Sequence, residues 1–324
     1  MKRRALLRTA PPAVLLAPTA LRAQRTWRVG YLSLGSPAAE ATRFDAFRAG
    51  LTALGYVEGR NLAIETRWLD GAPYARLADL AAQLVEARVD VIVTYATPGV
   101  TAAKKATSTL PIVFATVGDA VAVGLVASLA KPGGNVTGSS YFLPQLAAKR
   151  LELLKEAVPG LARAGVLFNP ANRSAESVLA ALRQTAQALR VELVEAPAGD
   201  AAAIGPAIET VTSRGATGFV VPEDPTLIYA SPAIARLALQ HRLASCGVPE
   251  LAQVGGLMAY GIDFVATWRH AATFVDRILK GTPPADIPVE QATSFRLELN
   301  QPTAKALGLV FPMALLARAE GVIE

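Results

Sequence analysis

Short apolar runs alternate along the chain with longer segments whose apolar residues recur every three or four positions. RVGYLS (28–33), DVIVTYA (90–96) and PIVFATV (111–117) are apolar almost throughout, as strands of a parallel sheet are when helices cover both faces. Helices are expected over 37–55 and 74–88, and further strands at 61–69 and 135–140. The second helix carries its apolar residues on one face, namely Leu77, Leu80, Ala81, Leu84 and Val85.

The same order begins again near residue 163. Strands are expected at 163–168, 191–196 and 216–221, and helices over 174–189 and 201–214. This order matches that of 28–95 with little sequence identity, so we interpret it as a structural pseudo-repeat. The predicted fold class is therefore α/β, with two doubly wound, Rossmann-like lobes built on parallel sheets.

The first 23 residues have the pattern of an export signal. A basic stretch, MKRRALLR, precedes the short apolar TAPPAVLLAPTA and a small residue, Ala23. The apolar stretch is too short and too rich in proline to span a bilayer as a helix. We expect a signal peptide over 1–23, cleaved near Ala23, and a periplasmic protein. The pair Arg3-Arg4 also resembles a twin-arginine signal, so two export routes remain open.

Charge and composition argue against several function classes. The net charge is +6, and five of the positive charges lie within the first 23 residues, which leaves 6 − 5 = +1 for the rest. A nearly neutral body does not favour nucleic acid as a partner. The lone Cys246 cannot form a disulfide within the chain, and His241 and His270 have no partner at metal-ligand spacing. Phosphate-loop and nucleophile-elbow motifs are missing as well. The sequence thus predicts neither an enzyme nor a cofactor or metal.

Three predicted strands end in a capping residue followed by proline, at Ser36-Pro37, Thr97-Pro98 and Asp224-Pro225. Ser, Thr and Asp cap helix N-termini, and proline suits the first helical position. Plain capping explains each site alone. Because ligands of open parallel sheets bind at the carboxyl ends of strands, beside helix N-termini that favour anions, three such sites also indicate an anion-facing cleft.

Other polar residues follow predicted strands at the same edge. Asp119 comes after PIVFATV and is expected to cap a helix over 120–130. Asp119 and Asp224 are also suited to accept hydrogen bonds from a ligand ammonium group. Asn169 and Asn172 can bond a ligand or shape their turn, and Tyr260 can stack on a ligand or pack. Together these residues suggest a small zwitterion, such as an amino acid.

Ordered blocks over about residues 27–324 resemble the ABC-transporter substrate-binding family that includes tryptophan and tyrosine binders. They are YVEGRNLAIETRW, LPIVFATVGDAVAVGLVASLAKPGGNVTG, KRLELLKEAVPGLARAGVLFNPAN, GGLMAYG, FVDRILKGTPPADIPVEQ and TAKALGL. The resemblance implies a hinged type I periplasmic-binding fold whose two lobes close on a small ligand. One lobe would hold 27–138 with about 259–289, and the other 140–257 with about 290–324. It also implies a monomer that docks on an ABC permease in the inner membrane.

By position, the resemblance puts a set of loop residues in the cleft: Ser36, Ala96, Thr97, Pro98, Gly118, Asp119, Asn169, Asp224 and Tyr260. The chain departs from the family where Ala120 replaces a usual proline and where ASCGVPEL, after HRL, lacks a usual aromatic residue. That loss predicts a smaller pocket wall, or one shaped for an aliphatic or carboxylate ligand. Two alternatives remain: a ligand-sensing effector domain, which would need a DNA-binding segment before the first strand, and a doubly wound enzyme.

Overall fold

The computed structural model describes residues 25–292 and 294–324. The predicted signal peptide, residues 1–23, lies outside the described residues. No helix within the described ranges is long and apolar enough to cross a membrane.

The first lobe is a six-stranded sheet in which every pair of neighbours is parallel, in the order β11-β5-β4-β3-β1-β2. Its strands are β1 (Trp27–Ser33), β2 (Leu62–Trp68), β3 (Val91–Thr94), β4 (Ile112–Gly118), β5 (Val136–Tyr141) and β11 (Glu290–Gln291). Its helices are α1 (Pro37–Ala53), α2 (Leu77–Glu86), α3 (Ala96–Ala106) and α10 (Phe264–Leu279), with 3-10 turns at Tyr74–Arg76 and Pro284–Asp286.

The second lobe is a seven-stranded sheet in the order β13-β12-β10-β9-β8-β6-β7. Its strands are β6 (Arg163–Phe168), β7 (Glu192–Pro197), β8 (Gly218–Val220), β9 (Ala244–Gly247), β10 (Met258–Gly261), β12 (Arg296–Asn300) and β13 (Gly321–Ile323). Its helices are α4 (Leu143–Ala157), α5 (Ala175–Leu189), α6 (Ile204–Ser213), α7 (Pro225–Tyr229), α8 (Ser231–Gln240), α9 (Pro249–Gln253), α11 (Gln301–Leu307) and α12 (Met313–Leu316). This sheet is parallel except where β10 pairs antiparallel with β12.

Burial follows the hydrophobic pattern that predicted these elements. Every residue of β4 is buried, as expected for a central parallel strand. In α2 the predicted stripe faces the core, with Leu77, Leu80, Ala81 and Leu84 buried and Val85 partly buried. Helices α1 and α10 cross very closely at Gly50. A Cβ atom at this position would lie 2.4 Å from the Arg269 carbonyl oxygen. Only glycine therefore fits at that crossing.

The chain passes between the sheets after β5, returns after β10, and passes again after β11. The crossings differ by a few residues from the expected lobe boundaries. Ser139–Tyr141 still belong to the first sheet, and Met258–Gly261 belong to the second. The pairing of the strands decides these limits, and it cannot be read from the sequence.

Two local predictions are wrong. Residues 120–130 form turns instead of a helix, and Gly124 adopts a left-handed φ of 72° that interrupts any helix there. Asp119 still caps, since its carboxylate accepts the Ala122 N–H at 3.0 Å, but it caps a turn. Thr97 is not an N-cap either: helix α3 begins one residue earlier, at Ala96.

Candidate ligand-binding site

The carboxyl ends of the strands in the two lobes face one another, and side chains from each lobe hydrogen-bond across the gap. The Tyr95 hydroxyl, just after β3, lies 2.6 Å from the Tyr229 hydroxyl on α7. The Thr97 and Ser174 hydroxyls lie 2.7 Å apart. The Tyr74 hydroxyl donates to Asp224 at 3.1 Å. These contacts define a closed cleft between the lobes.

An aromatic cavity with a free volume of ≈ 20 Å³ lies inside this cleft. In the closed arrangement this space holds about one water molecule, so the wall must move apart to admit a larger ligand. Both lobes contribute to its wall, which consists of Arg43, Tyr95, Ala96, Thr116, Tyr141, Phe264 and Trp268 from the first lobe and Glu223, Pro225, Ile228 and Tyr229 from the second.

The rings of this wall are held by one another and by hydrogen bonds. Trp268 packs against Tyr95 at a centroid distance of 5.0 Å and edge-on against Phe264 at 5.9 Å. Its indole N–H donates to the Tyr31 hydroxyl at 2.8 Å. Burial raises the pKa of Tyr95 and Tyr229, so both hydroxyls stay protonated and able to donate. The cavity therefore presents a rigid wall of ring faces.

Arg43 is the cationic side chain of this wall. Its Nη1 donates to Glu40 at 3.0 Å and its Nη2 donates to Glu250 of the opposite lobe. Burial lowers the pKa of Arg43, but the carboxylates of Glu250 and Glu40 outweigh burial and raise it overall. The guanidinium carbon lies 4.7 Å from the Phe264 ring centroid and 5.3 Å from that of Trp268. Arg43 thus joins the charged groups to the aromatic wall.

Glu223 is the carboxylate of the wall from the second lobe. It is buried after β8 and forms a two-pronged ion pair with Arg150 of α4, whose Nη1 donates to Oε2 at 2.9 Å. Arg150 also donates to the carbonyl oxygens of Val221 and Tyr260. Burial raises the pKa of Glu223, and Arg150 opposes this only in part. The second lobe thus presents a fixed, buried carboxyl group to the cavity.

Asp224 lies at the rim of the cavity, and its carboxylate oxygens accept hydrogen bonds from donors of the protein. It caps α7 through the Thr226 N–H at 2.9 Å, and it accepts Asn172 Nδ2 at 2.9 Å and Asn169 Nδ2 at 3.3 Å. Burial raises the pKa of Asp224, and these donors together with Tyr74 oppose the rise. We therefore interpret Asp224 as the acceptor of an interlobe hydrogen bond from Tyr74.

The predicted site residues divide among three cavities and their surroundings. Of the predicted set, Ala96 lines the aromatic cavity. Thr97 and Pro98 line a neighbouring groove that Tyr74 and Arg173 help to form, and Asn169, Asn172 and Asp224 line a small cavity that Glu223 shares with the aromatic one. The remaining predicted residues, Ser36, Gly118, Asp119 and Tyr260, lie outside these three cavities. Ser36 caps α1 through the Ala39 N–H, and Tyr260 stacks on Phe295.

Sequence reasoning missed most of the charged and aromatic wall. Glu40 and Arg43 are buried on α1 at the spacing of its apolar face, which continues with Ala46 and Phe47. Polar residues on the buried face of a helix are a signal that could have marked them. The missing aromatic residue after HRL predicted a smaller wall, but the wall is rich in aromatic rings. Ala244–Gly247 form a buried strand, and other segments supply the rings.

Comparison with known proteins identifies the family. The family described as ABC transporter substrate binding protein matches residues 34–323. The chain belongs to this family. A tyrosine-binding protein of Clostridioides difficile (strain R20291) is 28% identical over 256 residues, which are 79% of this chain and 73% of that protein.

Two solved structures allow the arrangement of the lobes to be compared. An ABC domain from Streptococcus pneumoniae in complex with L-Trp is 25% identical, covers 92% of this chain and 100% of its own, and has a TM-score of 0.85. The ligand-free, open structure of a substrate binding protein from Clostridium difficile is also 25% identical and covers 92% and 99%, but its TM-score is 0.65. Because identity and coverage are nearly equal, the lobe arrangement is more similar to that of the L-Trp complex than to that of the open structure. The expected type I periplasmic-binding fold is confirmed.

Proposed function

We propose that this substrate-binding protein is the exported, periplasmic component of an ABC importer, and that its lobes close on an amino acid with an aromatic side chain. The observation that carries the ligand class is the aromatic cavity between the lobes, with five rings in its wall. The named ligands of the relatives, tyrosine and L-Trp, fit this interpretation.

The cavity also offers groups of both signs for the ends of an amino acid. In the described hydrogen bonds, Arg43 uses two of its five N–H groups. The remaining ones can donate to a ligand carboxylate. Glu223 lies across the cavity on the second lobe, where its carboxyl oxygens can accept further hydrogen bonds. A ligand held by Arg43 of one lobe and Glu223 of the other would stabilise the closed state over the open one.

Thermal unfolding with added amino acids tests this proposal. The protein is first unfolded and refolded to remove any ligand that copurifies. A ligand at 100 times its Kd adds about 2.7 kcal/mol to the free energy of unfolding. We expect a rise in Tm with L-tyrosine or L-tryptophan and none with L-alanine or L-glutamate. Equal shifts with all four, or a shift with glutamate alone, would contradict an aromatic ligand. Cell fractionation of the full chain tests export.

A further inference from the structure

The charges around the aromatic cavity do not balance. Arg43 and Glu223 line it. Glu40 and Glu250 pair with Arg43, and Arg150 pairs with Glu223, so the cluster holds three carboxyl groups and two guanidinium groups. Arg150 is paired with Glu223, which leaves Arg43 alone to compensate both Glu40 and Glu250. With every group ionised, this closed cluster carries one excess negative charge. Glu40 is fully buried and the Glu250 side chain is 31% exposed. An uncompensated carboxylate is costly to the extent that it is buried, so the excess favours a positively charged ligand.

Glu250 carries an unused acceptor. Its Oε1 accepts from Arg43, but its Oε2 is buried and has no hydrogen-bond donor among the described residues. Buried carboxylate oxygens normally have a partner. Glu250 contacts Arg43, and Arg43 and Glu223 line the same cavity. The two carboxyl groups of the second lobe therefore adjoin the same cavity wall, and an ammonium between them would supply the donor and the charge that are needed.

The ring faces of the cavity favour the same kind of ligand. The face of an aromatic ring attracts a cation within about 6 Å of its centroid. Arg43 shows this attraction within the wall itself, at 4.7 Å from Phe264 and 5.3 Å from Trp268. The hydroxyls of Tyr95 and Tyr229 are occupied by one another and by neighbours in the cleft. Rings and carboxyl groups thus act together on an ammonium.

We propose that the ligand ammonium is the group this cleft recognises, bound beside Glu223 and Glu250, so that aromatic monoamines are ligands as well as aromatic amino acids. This inference rests on the proposed aromatic ligand and extends it, because the ligand carboxylate becomes dispensable. An aromatic acid that lacks the amino group adds a second excess negative charge to the closed cleft and is excluded.

Calorimetric titration of refolded protein with three compounds tests the inference. L-Tyrosine carries both charged groups, tyramine only the ammonium, and 3-(4-hydroxyphenyl)propionate only the carboxylate. We expect tyramine to bind within about tenfold of tyrosine, since one group is lost but charge balance improves. The propionate should bind at least about 30-fold more weakly. The same comparison is made with L-tryptophan, tryptamine and indole-3-propionate.

The variant Glu250→Gln separates charge recognition from a purely structural role. It removes the excess negative charge with little change in shape, so the discrimination between the amine and the acid should shrink by about tenfold or more. A merely structural role of the Arg43–Glu250 contact would weaken all three compounds equally. Glu156→Gln is the control, because Glu156 pairs with Arg318 on the surface and should leave all affinities unchanged.

The outcomes distinguish this inference from the proposed function. If the amino acids bind and the amines do not, or if the acids bind as tightly as the amino acids, the inference is wrong while the aromatic ligand stands. Unchanged discrimination in Glu250→Gln would overturn the assignment to Glu250. If none of the six compounds binds, the proposed aromatic ligand fails and this inference fails with it.

Discussion

The hydroxyl of Tyr229 joins the lobes through two hydrogen bonds. It donates to Glu40 Oε1 at 2.6 Å and lies 2.6 Å from the Tyr95 hydroxyl, both in the first lobe. Tyr229 itself belongs to α7 of the second lobe. The substitution Tyr229→Phe removes both bonds, keeps the ring, and leaves each lobe intact. We therefore expect it to act on closing and not on folding.

The size of the effect follows from the charged acceptor. A hydrogen bond to a charged group contributes about 1.5–3 kcal/mol. Glu40 keeps two other donors, Tyr31 at 3.1 Å and Arg43 at 3.0 Å, so the variant leaves no bare buried carboxylate. The closing equilibrium should therefore weaken by about 10- to 150-fold. Because tight binding requires the closed state, the apparent Kd for the ligand should rise by a similar factor.

The matched control is Tyr56→Phe. The Tyr56 hydroxyl also donates to a buried carboxylate, Asp276, at 2.9 Å, but both residues belong to the first lobe. This variant should lose about 1–3 kcal/mol of unfolding free energy and keep its ligand affinity. Titration calorimetry measures the affinity, and urea melts measure the stability.

The two variants together decide whether the interlobe bonds favour closing. If Tyr229→Phe binds ligand as tightly as the unchanged protein, the contacts between lobes contribute nothing to the bound state. If it loses stability to the same extent as Tyr56→Phe and nothing more, the hydroxyl is part of the core of its lobe. Small-angle scattering of unliganded protein gives a further check, since weaker closing should increase the radius of gyration.

Further predictions concern single groups. Arg150→Met leaves Glu223 buried and unpaired, and urea melts should show a loss of about 3–5 kcal/mol. Burial raises the pKa of Cys246 to about 12, so this thiol should react with a disulfide reagent at pH 8 only after unfolding. The folded-state pKa of Asp224 is raised above about 3.9, its unfolded value, so its contribution to stability rises as the pH falls from 7 toward 4, and Asp224→Asn should lack that rise. Asp119→Ala should cost about 1 kcal/mol and leave ligand affinity unchanged.

The repeating pattern predicted most of the fold because backbone and side-chain requirements agree along it. Continuous apolar runs such as 111–117 fit only a strand buried on both faces, and the structure has β4 there. The predicted helix over 120–130 failed for a local reason. An apolar composition with alanine and leucine favours a helix, but a single glycine at position 124 with a left-handed φ is enough to replace it by turns.

The site was harder to predict than the fold, because its residues come from segments that only the closing of two lobes brings together. The strand-end rule pointed to Ala96, Asn169 and Asp224, and all three line cavities of the cleft. It had no means of finding Arg43 and Trp268, which lie inside helices and reach the cleft through their side chains. The buried polar positions of α1 single out Arg43, but they do not show which residues of the opposite lobe lie against it.

The same charges that suggest the ligand also explain why closing should depend on it. In an open cleft, Arg43 and Glu250 would be hydrated separately, whereas in the closed one they pair, and Glu250 Oε2 has no donor among the described residues. The interlobe hydrogen bonds favour closing. The excess negative charge of the cluster, which closing partly removes from water, opposes it. A ligand ammonium compensates the excess charge and leaves the interlobe hydrogen bonds in place. A ligand can shift such an equilibrium only by its difference in affinity for the two states, and here that difference would be electrostatic.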